Sequence, residues 1–183
     1  MFSLSFCPVP STTRERFWLA TGALVGGVLF RVAQRYFGLP KPLVLASAPE
    51  RLFKLATTAE LAAFQQKGRI ESDLDLKDGF VHLSDRTSPP NVASLFFSGV
   101  TDLHVIELKA KSLAGPVQWL MGPVGTAPSA SMLAGASPTL VHYDHSCGCV
   151  HVYGAPVSTA TILRTSKALP IGTDGVHVMP EWL

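Results

Sequence analysis

The sequence predicts an α+β domain built on a largely antiparallel sheet. About six short segments alternate apolar and polar residues, while only two stretches carry the caps and apolar spacing of helices. The strands dominate after the first helices, which argues against a doubly wound parallel arrangement. An uncharged apolar run near the N-terminus stands apart from this pattern.

The elements follow in order. Leu52-Phe53-Lys54-Leu55 alternates as a first strand. Thr57 and Glu60 have capping-box spacing, Leu61 and Phe64 supply an apolar face, and Gly68 can end the helix in left-handed geometry. Asp73 to Lys77 alternates acid and leucine, and Asp78-Gly79 marks a turn into the strand Phe80–Ser84. Pro89-Pro90 suits a helix start, with Val92, Leu95 and Phe96 toward the core and Gly99 at the end. Leu103–Leu108, Val117–Leu120, Val150–Tyr153 and Thr159–Leu163 read as further strands. Gly122 to Pro138 is rich in Gly, Ala, Ser and Pro and reads as a long mobile loop. The tail from Ala168 is loop-like, with Trp182 expected to pack back.

Charge divides the chain. Of the 183 residues, 47% are apolar and 15% charged, against a usual charged share of about 25%. Up to Pro49 there is one acid, Glu15, against Arg14, Arg16, Arg31, Arg35 and Lys41; from Glu50 onward twelve acids face ten bases. A slightly acidic domain lacks the basic footprint that a phosphate backbone requires, so nucleic acid is not an expected partner. The organisation expected is a leader and Pro-containing linker over 1–49, a domain over 50–166 and a tail over 167–183.

Phe17 to Phe30 is uncharged and flanked by arginines. A spanning helix needs about 20 residues to cross about 30 Å of hydrocarbon. Residues 17–37, with Arg31 snorkelling, come close to that, so a single-pass N-terminal membrane anchor is expected. The alternative is a cleaved leader addressed to a mitochondrion or plastid, since the segment is Arg-rich and acid-poor.

Two clusters carry candidate chemistry. In Phe80–Ser84, period two puts Phe80, His82 and Ser84 on one face and Val81 and Leu83 on the other. The first face suits a pocket, or equally a strand face that meets water. The second cluster is His142–Gly154, which if extended would stack His145, Cys147, Cys149, His151 and Tyr153 on one side. Its C-x-C does not match the paired spacing of zinc sites, so no metal is assigned. A Cys nucleophile with His145 or His151 as base remains an alternative. Walker, G-x-G-x-x-G and H-E-x-x-H signatures are absent.

Lys-Asp-Gly-Phe-Val-His-Leu-Ser (77–84), Leu95-Phe96-Phe97, Thr101-Asp102-Leu103, Trp119 and His151-Val152-Tyr153-Gly154 give the chain a likeness. From about Leu52 to about Leu163 it resembles the domain of unknown function 952 family. The resemblance implies a fold similar to that of the ADP-ribosyltransferases, two small, largely antiparallel sheets around a cleft that in the transferases holds NAD. It implies that Lys54, His82, Ser84, His151 and Tyr153 line the cleft. His82 and His151 would be the catalytic pair, Lys54, Phe80, Ser84 and Tyr153 would hold the cofactor, and Phe80 or Tyr153 would stack a ring. The family's usual Trp-Glu is Trp119-Leu120 here, and its glycine-arginine stretch with Phe-Pro is replaced by Ser146–Val150. The function implied is a small-molecule or nucleotide-binding module with a degenerate active site. The alternative is an NAD-dependent ADP-ribosyl-type transferase using His82 and His151.

Overall fold

The computed structural model describes residues 47–122, 128–135 and 139–183. In chain order these form β1 (Arg51–Thr57), α1 (Thr58–Lys67), α2 (Asp73–Asp78), β2 (Val81–Ser84), α3 (Pro89–Phe96) and β3 (Leu103–Lys109). Then follow β4 (Val117–Met121), α4 (Ala130–Gly135), β5 (Thr139–Asp144), β6 (Cys149–Gly154) and β7 (Ile162–Thr165).

The strands join into one seven-stranded sheet in the order β4-β5-β6-β2-β1-β3-β7, antiparallel except for the parallel pair β4–β5. This corrects the expectation of two small sheets around a cleft. Alternation fixes which residues share a face, but the ladder that joins β2 to both β6 and β1 makes one continuous sheet. The parallel β4–β5 pair also departs from the antiparallel pattern, and β5 itself was not anticipated.

Sequence signals explain the local structure. The Thr57 hydroxyl accepts from the Glu60 N–H, and the Glu60 carboxylate accepts from the Thr57 N–H at 2.8 Å, so the expected capping box forms. Gly68, at φ +69°, ends α1 as expected. Asp73–Asp78, for which the sequence assigned no element, forms a short helix, because Ser72 and Asp75 make a second capping box and Gly79 closes it at φ +79°. Helix α3 stops before Phe97, short of Gly99. Val92, Ala93 and Phe97 face inward, whereas Leu95 and Phe96 are exposed. The stretch read as one long loop contains α4, although residues 123–127 and 136–138 lie outside the described residues.

The sheet is covered differently on its two faces. On one, Leu52, Ala56, Val81, Leu83, Ile106, Leu108, Val141, Val150 and Val152 pack beneath Phe64 of α1, Ile70 and Val157. Full burial of a side chain such as Phe64 contributes about 1.5–3 kcal/mol. On the other, Phe53, Leu55, Leu103 and Val105 pack with Ala93 of α3 and Leu169 of the tail. The tail is tied down by Leu169 N–H donating to the Leu103 carbonyl at 2.7 Å and by Trp182 beneath the Arg164 guanidinium, 4.6 Å from its ring centre. Glu107 is buried between Arg51 and Arg164 in this region. Toward β4, the second face has no such apolar cover among the described residues and carries histidines instead.

The expected membrane location is also corrected. Among the described residues no helix is long and apolar enough to cross a membrane. Phe17–Phe30 and the leader as a whole lie outside the described residues.

Candidate functional site

The site begins where β2 parts from β1. Strand β2 pairs with β6 along all four of its residues, but with β1 only at Phe53 and Ser84. Above that point the main-chain groups of His82 that would have met β1 need other partners. Asp75 and Lys54 supply them. The His82 N–H donates to Asp75 Oδ1 at 2.9 Å, and Lys54 Nζ donates to the His82 carbonyl at 3.1 Å. The same Lys54 ammonium donates to both Asp75 oxygens, at 2.9 and 3.2 Å. Both residues are buried.

Helix α2 is short because its task is local: its capping box holds Asp75 in that gap. The Ser72 N–H donates to Asp75 Oδ2 at 2.8 Å, which leaves both carboxylate oxygens multiply engaged. Burial by itself pushes the Asp75 carboxyl up. The His82 side-chain hydrogen bond, the Lys54 charge and the His82 main chain outweigh it, so the carboxyl is held well below its ordinary value. An ionised carboxylate only accepts, so the 2.8 Å contact between His82 Nδ1 and Asp75 Oδ1 puts the proton on Nδ1. Nε2 is then directed away from Asp75 and lies 3.5 Å from Asp78 Oδ2.

Because the main chain of His82 points toward β1, His82 and His151 are a non-hydrogen-bonded pair of the β2–β6 ladder. Such pairs bring side chains closest. Their rings lie 5.3 Å apart, edge to face. His142 of β5 is in register with His151 on the other side, at 6.3 Å. Leu120 of β4 is in register with His142. One row across four adjacent strands therefore reads Leu120, His142, His151, His82. Phe80 leans on this row, with its ring 4.5 Å from His82, 4.4 Å from His151 and 5.0 Å from Tyr153.

The row is held uncharged at its centre. Burial, then the neighbouring His82 and His142, push His151 down to about 4 against smaller opposing effects of Asp144 and Asp75. Burial also lowers His142, opposed by Asp144. His142 is 5% exposed and Asp144, two residues on and on the same face, is 3% exposed. His142 Nε2 and Asp144 Oδ2 are buried without a hydrogen-bond partner among the described residues. The other Asp144 oxygen accepts from the Ser146 N–H and hydroxyl, at 2.9 and 2.6 Å, and so shapes the β5–β6 turn.

Of the residues singled out from sequence, Phe80, His82, His151 and Tyr153 come together on this face. Lys54 lies behind the strand with its ammonium committed to Asp75 and His82. Ser84 is on the histidine face but buried, its hydroxyl donating to the Phe53 carbonyl at 3.3 Å. His145 and Cys147 sit in the turn of a hairpin, not in an extended stack. Burial foremost pushes the Cys147 thiol up to about 11, which does not suit a thiolate nucleophile. Among the described residues no group of three or more His, Cys, Asp or Glu could hold a metal ion. Asp75 and His142 were missed. The Ser72–Asp75 spacing was the available signal for the first, and a hairpin turning at Gly148 was the signal for the second.

The family model described as protein of unknown function (DUF952) matches residues 55–165, well over half of the chain. This chain is a DUF952 protein. The matched region runs from β1 through β7 and includes the whole histidine row. Among solved structures, this DUF952 protein is similar to protein CC0527 from Caulobacter crescentus. An X-ray structure of CC0527 has 22% sequence identity and a TM-score of 0.48, covering 70% of this chain and 93% of that one. A double mutant of the same protein gives 23% and 0.49 over the same shares. Its solution NMR structure gives 25% and 0.45, covering 69% and 90%. No curated protein matches the chain.

Proposed function

We propose that this domain is a binding module for a small molecule or nucleotide, seated on the histidine face, with the acid of an ancestral active site replaced by Leu120. The observation that carries the proposal is the in-register row Leu120, His142, His151, His82, with Phe80 and Tyr153 as an aromatic wall beside it. Imidazoles held uncharged can donate and accept hydrogen bonds, and the wall can stack a ring. Stabilising an oxocarbenium-like centre would call for an uncommitted carboxylate aimed at it. The position beside His142 holds an aliphatic side chain, and Asp75 is already engaged by Lys54, Ser72 and His82. Asp144, which keeps one open oxygen, is fixed by Ser146 at the hairpin end of the row rather than at the position of the lost acid.

The second reading is an NAD-dependent ADP-ribosyl-type transferase acting through His82 and His151. The Asp75–His82 contact favours it, since a carboxylate on Nδ1 orients an imidazole whose Nε2 then works on a substrate. Calorimetry and saturation-transfer NMR with nicotinamide, adenosine, ADP-ribose and NAD, together with a nicotinamide-release assay, separate the two. The binding module predicts that at least one of these probes binds, that His82→Ala or His151→Ala weakens it, and that no nicotinamide is released. Leu120→Glu would then restore turnover. Release by the unmodified protein would establish the transferase instead. No binding at all, or binding unchanged in both histidine variants, would remove both readings.

A further inference from the structure

Resting on the assignment of this face as a ligand site, we infer that it selects an unphosphorylated planar ligand bearing N–H donors, neutral or cationic, and disfavours the phosphate-bearing form of the same ring.

Two buried atoms define the chemistry. His142 and Asp144 are more than nine-tenths buried, they share the histidine face by strand alternation, and each has one polar atom without a partner among the described residues. A buried polar atom left unpaired costs about 1–3 kcal/mol, so such atoms in a folded domain call for a specific partner. Asp144 Oδ2 can only accept, and His142 Nε2 matches either a donor or an acceptor. A ligand whose chemistry matches both atoms carries an amide, an amidine or an aromatic amine. An ionised phosphate also only accepts. It would meet the open Asp144 oxygen, and Asp78 beyond His82, at like charge.

The rest of the face agrees. His151, between the two other histidines, is held uncharged by burial and by those neighbours, so it offers no cation to an anionic ligand. The nearby ammonium, Lys54, is turned to the back of the strand and donates to Asp75 and to the His82 carbonyl. Phe80 and Tyr153, with ring centres 5.0 Å apart, supply the apolar surface for a flat ring.

Calorimetry on the full chain at neutral pH with adenosine, benzamidine and AMP tests the inference. Adenosine carries the amine without charge, benzamidine is a flat cation with several N–H donors, and AMP adds only the phosphate. Adenosine and benzamidine are expected to bind, with AMP at least about tenfold weaker than adenosine. Asp144→Asn keeps an oxygen for the Ser146 turn and removes the charge. It should weaken benzamidine about tenfold and adenosine less. AMP binding as tightly as adenosine, or benzamidine binding unchanged in Asp144→Asn, would overturn the inference while leaving a ligand site in place. If none of the three probes binds, the ligand site falls with it. Should Asp144→Asn fail to fold, the ranking of the probes on the unmodified chain still decides.

Discussion

Replacing Asp75 by alanine removes the centre of the polar cluster behind His82, and the structure sets the size of the effect. Lys54 would keep its buried ammonium with only the His82 carbonyl as a partner, and the N–H groups of Ser72 and His82 would lose their acceptor. Breaking a buried ion pair from one side costs about 3–5 kcal/mol, because the remaining charge stays buried and uncompensated. The losses of the two N–H acceptors overlap with that figure rather than adding to it, so about 4 kcal/mol is expected. Urea unfolding followed by circular dichroism measures it. With a slope of about 2 kcal/mol per molar for a domain of this size, the midpoint should fall by about 2 M. Lys54→Met combined with Asp75→Leu should recover about 2 kcal/mol, since the charge problem disappears while the two N–H groups stay unpaired. A single Asp75→Ala variant within about 1 kcal/mol of the unmodified protein would refute the reasoning, because exposed pairs behave that way.

Three further outcomes follow from individual residues. Gly148 has φ +72°, and a Cβ there would lie 2.4 Å from an Asp85 carboxylate oxygen. Gly148→Ala should therefore cost more than Gly68→Ala, which is equally left-handed but meets nothing within 4 Å. The second should cost about 1 kcal/mol, the first at least about 2 kcal/mol, both by urea midpoints. Tyr143→Phe removes the 2.8 Å hydrogen bond to the buried Asp85 and should destabilise by about 1.5–3 kcal/mol in the same assay. His151 has a folded value near 4, below its ordinary 6.5, so the unfolded chain binds the proton that the folded chain refuses. Its contribution is thus fully present above about 6.5 and is lost as the pH falls toward 4. A stability-against-pH series should show that loss in the unmodified protein and a shallower one in His151→Gln; identical curves would contradict the assignment.

How much of this was legible in the sequence depended on range. The Thr57–Glu60 box, the Gly68 stop and the turn at Gly79 are local, and each appears where residue chemistry puts it. The shared face of Phe80, His82 and Ser84 also follows from period two alone. Strand partners do not. Nothing in the alternation of Val117–Leu120 says that it runs parallel to Thr139–Asp144, or that all seven strands share one sheet. Asp73–Lys77 carries no element assignment from sequence for a specific reason: over six residues acid–leucine alternation shows no helical period, and here Leu74 and Leu76 are both more than half exposed. With that helix unassigned, Asp75 had no place as the partner of His82. The site was half visible in consequence. His82, His151, Phe80 and Tyr153 could be named from their own strands, whereas His142 joins them only once the two strands of the hairpin turning at Gly148 are set in register.

The most direct test of the histidine face is a spectrum of the imidazole nitrogens recorded while a ring ligand is added. With adenosine as the probe, the account predicts shifts at His142 and His151, accompanied by aromatic shifts at Phe80 and Tyr153, while His104 and His177 stay unchanged. Those last two rings are held by Ser166 and Val100 away from the row. Shifts absent from His142 and His151, or equal at all six histidines of the chain, would contradict it.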